Sequence, residues 1–228
     1  MENLANKLQQ IDLNTECIIL IHGLVRSSRS MNKAASLFEK YGYRTININY
    51  PSRSKGINQL VKQYIQPIIE NCESRNYQQI HFLTHSLGGI LLRAYLAKHT
   101  IKNLGKTVML APPNQGSEIV DKLGHLTLYS ILNGPAGSEL GTNQHSIPKQ
   151  LGEINFETGI MTGDKSINPL LSLLIPGKND GKVSVKRAQI DGMKDFLIVP
   201  HTHTFIMQRT GVIQQALFFI QNCCFYKK

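Results

Sequence analysis

Nowhere in these 228 residues is there a run of about 18 apolar positions, so the sequence offers no helix long enough to cross a bilayer. The opening stretch, MENLANKLQQIDLNTE, lacks the basic region and long apolar core of a signal peptide, so a cytoplasmic protein is expected. The four cysteines, Cys17, Cys72, Cys223 and Cys224, form no CxxC pair. A disulfide framework is therefore not expected, and the thiols are read as reduced. Internal repeats and low-complexity tracts are also missing, which excludes solenoids and disordered linkers.

Acidic residues are few relative to basic ones, and the formal net charge is +10. Such a balance raises nucleic acid and anionic membranes as partners, because lysines and arginines near phosphates release counterions. The basic residues are scattered, however, with no stripe interleaved with aromatics and no nucleic-acid motif, so no nucleic-acid partner is expected. Weak contact with an anionic membrane surface stays open, given the charge and an apolar patch at Leu126, Leu128, Ile131 and Leu132. The oligomeric state cannot be read from the sequence.

What remains is ordinary for a packed globular chain: 41% hydrophobic and 18% charged residues, with length for one well-buried domain over residues 1–228. Short apolar runs alternate with longer amphipathic ones. Residues 17–21 (CIILI), 44–50 (RTININY), 79–83 (QIHFL), 107–111 (TVMLA), 158–163 (TGIMTG) and 196–200 (FLIVP) read as strands. Between them, residues 28–40, 57–73, 87–99 and 212–225 carry apolar positions at three- and four-residue spacing and read as helices. Such alternation predicts a three-layer α/β fold, a mainly parallel sheet of about six strands whose ligands bind beyond the carboxyl ends of the strands. Residues 112–155, rich in Gly, Pro, Asn and Ser, break the pattern and are read as an excursion lining a pocket, or a lid.

The stretch LTHSLGG, residues 83–89, puts Ser86 where a buried strand turns into a helix. That is the context of a nucleophile elbow, in which a tight turn lifts a hydroxyl clear of the sheet over a helix N-terminus. The usual glycine two residues before the serine is Thr84 here, and Gly88 is expected to supply the missing space. An activated serine needs an anion-stabilising site and a base. The loop His22-Gly23-Leu24 follows the first strand, making the Leu24 and Leu87 N–H groups the candidate oxyanion donors. His22, Gly23 and His85 are candidate substrate contacts, although His85 is also expected to pack under the turn. The base is His201 or His203, both beyond the last strand. The carboxylate that orients it is Asp164 or Asp180, and pattern alone leaves these even.

The succession ILIHGL, NYPSR, LTHSLGG, LAPPNQGS, GPAG, NDGKVSV and HTHTF, from about residue 17 to the C-terminus, resembles the bacterial α/β-hydrolases of the small lipase/esterase type, which lack a separate cap domain. The resemblance implies an α/β-hydrolase fold with a reduced sheet and a triad in the order Ser, acid, His. It matches the acid to Asp180, in Asp-Gly-x-Val, and the histidine to His203, before Thr-Phe. The implied activity is hydrolysis of a carboxylic ester, on a small-molecule or lipid substrate, without metal or organic cofactor. Thioesterase or acyltransferase activity on the same triad, or a non-catalytic binding protein on the same fold, are the alternatives.

Overall fold

A strand that is apolar at every position, such as CIILI, has no face left for water and must be covered on both sides. The computed structural model describes residues 4–227, apart from the side chains of Tyr129, Ser130, Pro169 and Leu171. It contains a six-stranded sheet of β1 (Cys17–Ile21), β2 (Arg44–Ile48), β3 (Ile80–His85), β4 (Leu104–Leu110), β5 (Thr158–Gly163) and β6 (Asp195–Val199). The order is β2-β1-β3-β4-β5-β6, and every neighbouring pair is parallel.

Alternate residues of each strand feed two different cores. Cys17, Ile19 and Ile21 face one layer, with α2 (Ile57–Leu60), α3 (Gln66–Glu73) and α4 (Leu87–Leu96). Ile18 and Leu20 face the other, with α1 (Asn32–Lys40) and α10 (Thr210–Asn222), where Phe38 and Phe219 are fully enclosed. Burial of each such aromatic contributes about 1.5–3 kcal/mol. The periodicity that predicts one helix over residues 57–73 is interrupted by a π turn at Val61–Ile65. Pro67, at the start of α3, has no N–H to return to the preceding turn, and the wider turn before it accommodates the lost bond.

Strand ends differ from the sequence expectation for local reasons. β4 starts at Leu104 because Leu104 pairs with Ile80, the first residue of β3. β2 stops at Ile48, and Tyr50 leaves the ladder so that its amide donates to His22 Nε2 while its ring stacks on the imidazole at 4.1 Å.

The excursion after β4 forms α5 (Glu118–Leu123), α6 (Thr127–Ser138) and α7 (Ile147–Gln150), and shorter pieces, α8 (Pro169–Leu173) and α9 (Val185–Ala188), follow β5. α6 is kinked at Gly134, whose φ of +67° admits glycine most readily and whose missing Cβ leaves room for the Arg53 carbonyl. Arg93 of α4 ties down both ends of the excursion. Buried to 3% exposure, it donates to the Asn114 carbonyl at 2.9 Å, to the Pro148 carbonyl at 3.3 Å and to the Gly152 carbonyl at 2.6 Å. Burial lowers its pKa to about 10, which leaves the guanidinium charged at neutral pH. Among the described residues no helix is long and apolar enough to cross a membrane.

Candidate active site

The chain runs from β1 outward to β2, then returns to the far side of β1 as β3, so the carboxyl ends of β1 and β3 form the switch point of the sheet. Ser86 stands there, directly after β3, with φ +52° and ψ −120°. That conformation is strained for a residue with a side chain and costs on the order of 1–3 kcal/mol. It is held by the Ser86 amide, which donates to the Leu110 carbonyl at 2.9 Å, and by α4 beginning at the next residue.

The glycines around the turn divide the work differently from the sequence expectation. Gly88, expected to make room for Thr84, lets α4 close on β1: a Cβ there would collide with the Ile21 carbonyl. Gly89 is the one beside Thr84, since its Cβ would lie 3.2 Å from Thr84 Oγ1.

Ser86 Oγ lies 3.0 Å from His203 Nε2, and His203 Nδ1 lies 2.8 Å from Asp180 Oδ2. The three are nearly enclosed, at 8%, 4% and 1% exposure. Asp180 Oδ1 accepts from the Lys182 amide at 3.0 Å and the Val183 amide at 2.8 Å, and the Asp180 carbonyl accepts from the His203 amide at 3.0 Å. Both carboxylate oxygens therefore have donors, which is what keeps a buried charge tolerable. Asn179 braces the same turn, its Oδ1 accepting from the Gly181 amide and its Nδ2 donating to the carbonyls of Ile175 and Gly177.

The two rivals stand outside this line. Asp164 faces Lys165 at 3.9 Å, and His201, partly exposed, has its pKa lowered by burial and by the charge of Arg209.

The amide of Leu87 opens α4, where the first N–H groups have no acceptor within the helix. The Leu24 amide has no hydrogen-bond acceptor among the described residues, while the next amide, of Val25, donates to Ser52 Oγ at 3.0 Å. Val25 sits at φ +57°, uncommon for a β-branched residue, and it turns the chain immediately after Leu24. Ser52 was not legible as part of the site, because its contribution is a bond to a loop 27 residues earlier.

His22 and Gly23, expected to contact substrate, do not line the cavity. His22 is fully buried, donating from Nδ1 to the Gly23 carbonyl at 2.8 Å and accepting the Tyr50 amide at Nε2. It is a neutral brace for the β1 loop, its pKa lowered by burial. Gly23 is held small by His85, whose Nδ1 an added Cβ would approach to 2.6 Å. His85 reaches the cavity wall at 2% exposure, and its Nε2 donates to the His203 carbonyl at 3.0 Å.

Beside Ser86 opens a cavity of about 370 Å³, at the small end of the range for ligand sites. Ile119, Val120, Leu123, Leu132, Gly137 and Leu140 of the excursion give it an apolar wall. Leu128 and Ile131, on the same helix as Leu132, are largely exposed. Among the described residues no group of three or more His, Cys, Asp and Glu side chains is arranged to hold a metal ion.

A parallel sheet in this order, with a serine at the strand-to-helix turn of its third strand, is the α/β-hydrolase fold. Solved structures with this fold superpose over most of the chain. The mature lipase BlEst2 of Bacillus licheniformis has a TM-score of 0.68 at 18% identity, covering 90% of this chain and 91% of that one. Phospholipase PlaB from Legionella pneumophila has a TM-score of 0.72 at 16% identity, covering 91% and 59%. The lin2722 product of Listeria innocua has a TM-score of 0.62 at 18% identity, covering 96% of each.

The sequence model of the palmitoyl protein thioesterase family matches residues 17–150, and the chain belongs to that family. Lysosomal thioesterase PPT2-B of Xenopus laevis is 29% identical over 107 residues, 43% of this chain and 36% of the relative. The match thus spans little more than a third of that protein's length. The family match includes Ser86 and most of the excursion and ends before Asp180 and His203.

Proposed function

We infer that the chain is a serine hydrolase that cleaves acyl thioesters, and carboxylic esters by the same route. The observation that carries this reading is the hydrogen-bonded line from Ser86 Oγ through His203 to Asp180 at 3.0 Å and 2.8 Å. Family membership favours the thioester over the carboxylic ester, which the sequence alone put first.

The chemistry follows from the geometry. His203 Nε2 takes the proton from Ser86 Oγ as the oxygen attacks the acyl carbonyl, and Asp180 holds the imidazole in the Nδ1–H tautomer and stabilises its charge. The Leu24 and Leu87 N–H groups receive the developing oxyanion, a role in which one donor contributes about 3–4 kcal/mol. His203 returns the proton to the leaving thiol or alcohol, leaving the acyl group on Ser86. Water then attacks that ester with His203 again as base, and the collapse releases the fatty acid and restores Ser86. The acyl chain occupies the apolar wall, with residues 112–155 as its lining. Cys17 and Cys72, buried against one another as free thiols, suit a reducing compartment such as the cytoplasm.

The test is a matched pair, the S-octanoyl thioester and the octanoyl ester of analogous leaving groups, assayed with wild type, Ser86→Ala and Asp180→Asn. Both substrates turned over by wild type, the thioester faster, with losses of at least about 10³-fold in both variants, is the expected result. Turnover that survives Ser86→Ala contradicts the reading, and turnover of the ester alone removes the thioester from it.

A further inference from the structure

The cavity beside Ser86 is apolar along most of its wall, yet its lining includes two cations, Arg26 and Lys182, and, among the described residues, no carboxylate. Both hang from backbone that the site itself fixes. Arg26 follows the Leu24–Val25 turn, pinned by the bond from the Val25 amide to Ser52, and the Lys182 amide donates to Asp180 Oδ1. Both side chains are exposed, and neither has a hydrogen bond or ion pair among the described residues. Crowding by the surrounding chain, then the charge of Arg26, lowers the Lys182 pKa, and the charge of Asp180 opposes the shift.

Among the described residues, four carboxylates of the surrounding segments are engaged elsewhere. Asp180 holds His203, Glu118 pairs with Arg187, Asp121 accepts from Thr142, and Glu139 accepts from the Ile57 amide. Two like charges lining one concavity repel each other and favour an anion there, since the one carboxylate whose charge acts on Lys182, Asp180, is itself committed to His203. A solvated basic surface does not account for the arrangement as well, because such residues stand apart on convex faces and do not line a cavity with the reacting hydroxyl.

We propose that Arg26 and Lys182 recognise a phosphate on the leaving group, so that the substrate is an acyl thioester or ester whose thiol or alcohol portion is phosphorylated. The proposal rests on the hydrolase reading above. The side of the site follows from proton transfer: the leaving group departs toward His203 Nε2, and Lys182 belongs to the turn that carries Asp180 and so flanks that departure. The acyl chain is left the apolar wall of the excursion. Arg26 offers a planar fork and Lys182 a compact charge, a combination suited to the oxygens of one phosphate.

Two measurements test this, one of them independent of turnover. In the first, octyl phosphate is titrated calorimetrically into wild type, Arg26→Gln/Lys182→Gln and Arg26→Lys. Binding weakened about tenfold or more in the double variant, retained in Arg26→Lys and reduced by salt, is expected, since each exposed ion pair contributes up to about fivefold. Equal binding by wild type and the double variant, or no binding to either, overturns the proposal even if the enzyme is active.

The second measurement compares kcat/KM for octanoyl-coenzyme A, a soluble phosphorylated thioester, and for octanoyl lysophosphatidate, a phosphate-bearing lipid, each against neutral p-nitrophenyl octanoate. The ratio of phosphorylated to neutral substrate falls about tenfold in the double variant, and the arm with the higher wild-type ratio identifies the source. An unchanged ratio in both arms overturns the pair's role. Failure of the hydrolase reading is distinguished by loss of turnover on all three substrates while octyl phosphate still binds.

Discussion

His85 Nε2 donates to the backbone carbonyl of His203 at 3.0 Å, so the histidine that precedes Ser86 in the chain holds the loop of the histidine that faces it. The bond fixes the His85 tautomer, with the proton on Nε2, and leaves Nδ1 without a hydrogen-bond partner among the described residues. His85 is therefore a positioning residue. His85→Phe keeps the volume but removes the donor, and is predicted to lower kcat about tenfold with little change in KM, while His85→Gln retains more of the rate. Steady-state kinetics on the same thioester checks this, and a change confined to KM contradicts the positioning role.

The two buried neutral histidines also set a pH dependence of stability. Burial lowers the pKa of both His22 and His85, and the charge of His203 adds to the effect at His85. Below the unfolded value of about 6.5 the unfolded chain binds protons that the folded chain does not, so stability rises with pH through that range and is lost as pH falls below it. Urea unfolding between pH 7.5 and 5 is expected to show this slope, and His22→Gln/His85→Gln to flatten it. A slope unchanged in the double variant contradicts the assignment.

Val25 stores strain next to the Leu24 amide. A β-branched residue at φ +57° costs roughly 1–2 kcal/mol, against about 0.5–1 kcal/mol of extra chain entropy for glycine. Val25→Gly is predicted to raise stability by up to about 1 kcal/mol and to lower kcat, because the loop then no longer fixes the Leu24 N–H. Thermal unfolding and kinetics together check the trade. A variant with lower stability and unaltered kcat counts against it.

Arg93 supports the cavity wall from beneath. Arg93→Met leaves the carbonyls of Asn114, Pro148 and Gly152 without this donor, at a cost of about 3 kcal/mol or more. The loss is expected to appear locally, as faster hydrogen exchange across residues 112–152 than in the strands. Uniform acceleration along the chain contradicts a local role.

The sheet was legible because parallel strands buried on both faces leave unbroken apolar runs such as CIILI, which few other structures require. Its edges were less so. Tyr50 leaves β2 to meet His22, and the π turn before α3 follows from how Pro67 fits into a longer helix, and neither depends on apolar period. In the site, LTHSLGG carried its own context, whereas pattern left Asp164, directly after a strand, and Asp180, in an Asn-Asp-Gly turn, even, and only the resemblance to a family preferred Asp180. Coordinates separate them by placing Asp164 on Lys165 and Asp180 on His203. Arg26, Ser52 and Lys182 were silent in the sequence because their significance lies in which wall they share. Arg93 did leave a trace: a lone charge in the otherwise apolar helix LGGILLRAYL.

The most direct measurement is labelling with a long-chain fluorophosphonate, with the adduct mapped by peptide mass spectrometry in wild type, Ser86→Ala and His203→Ala. The account predicts one adduct per chain on the Ser86 peptide, none in Ser86→Ala, and labelling slowed at least about 10²-fold in His203→Ala. An adduct on another residue, or a rate indifferent to His203, contradicts Ser86 as the nucleophile.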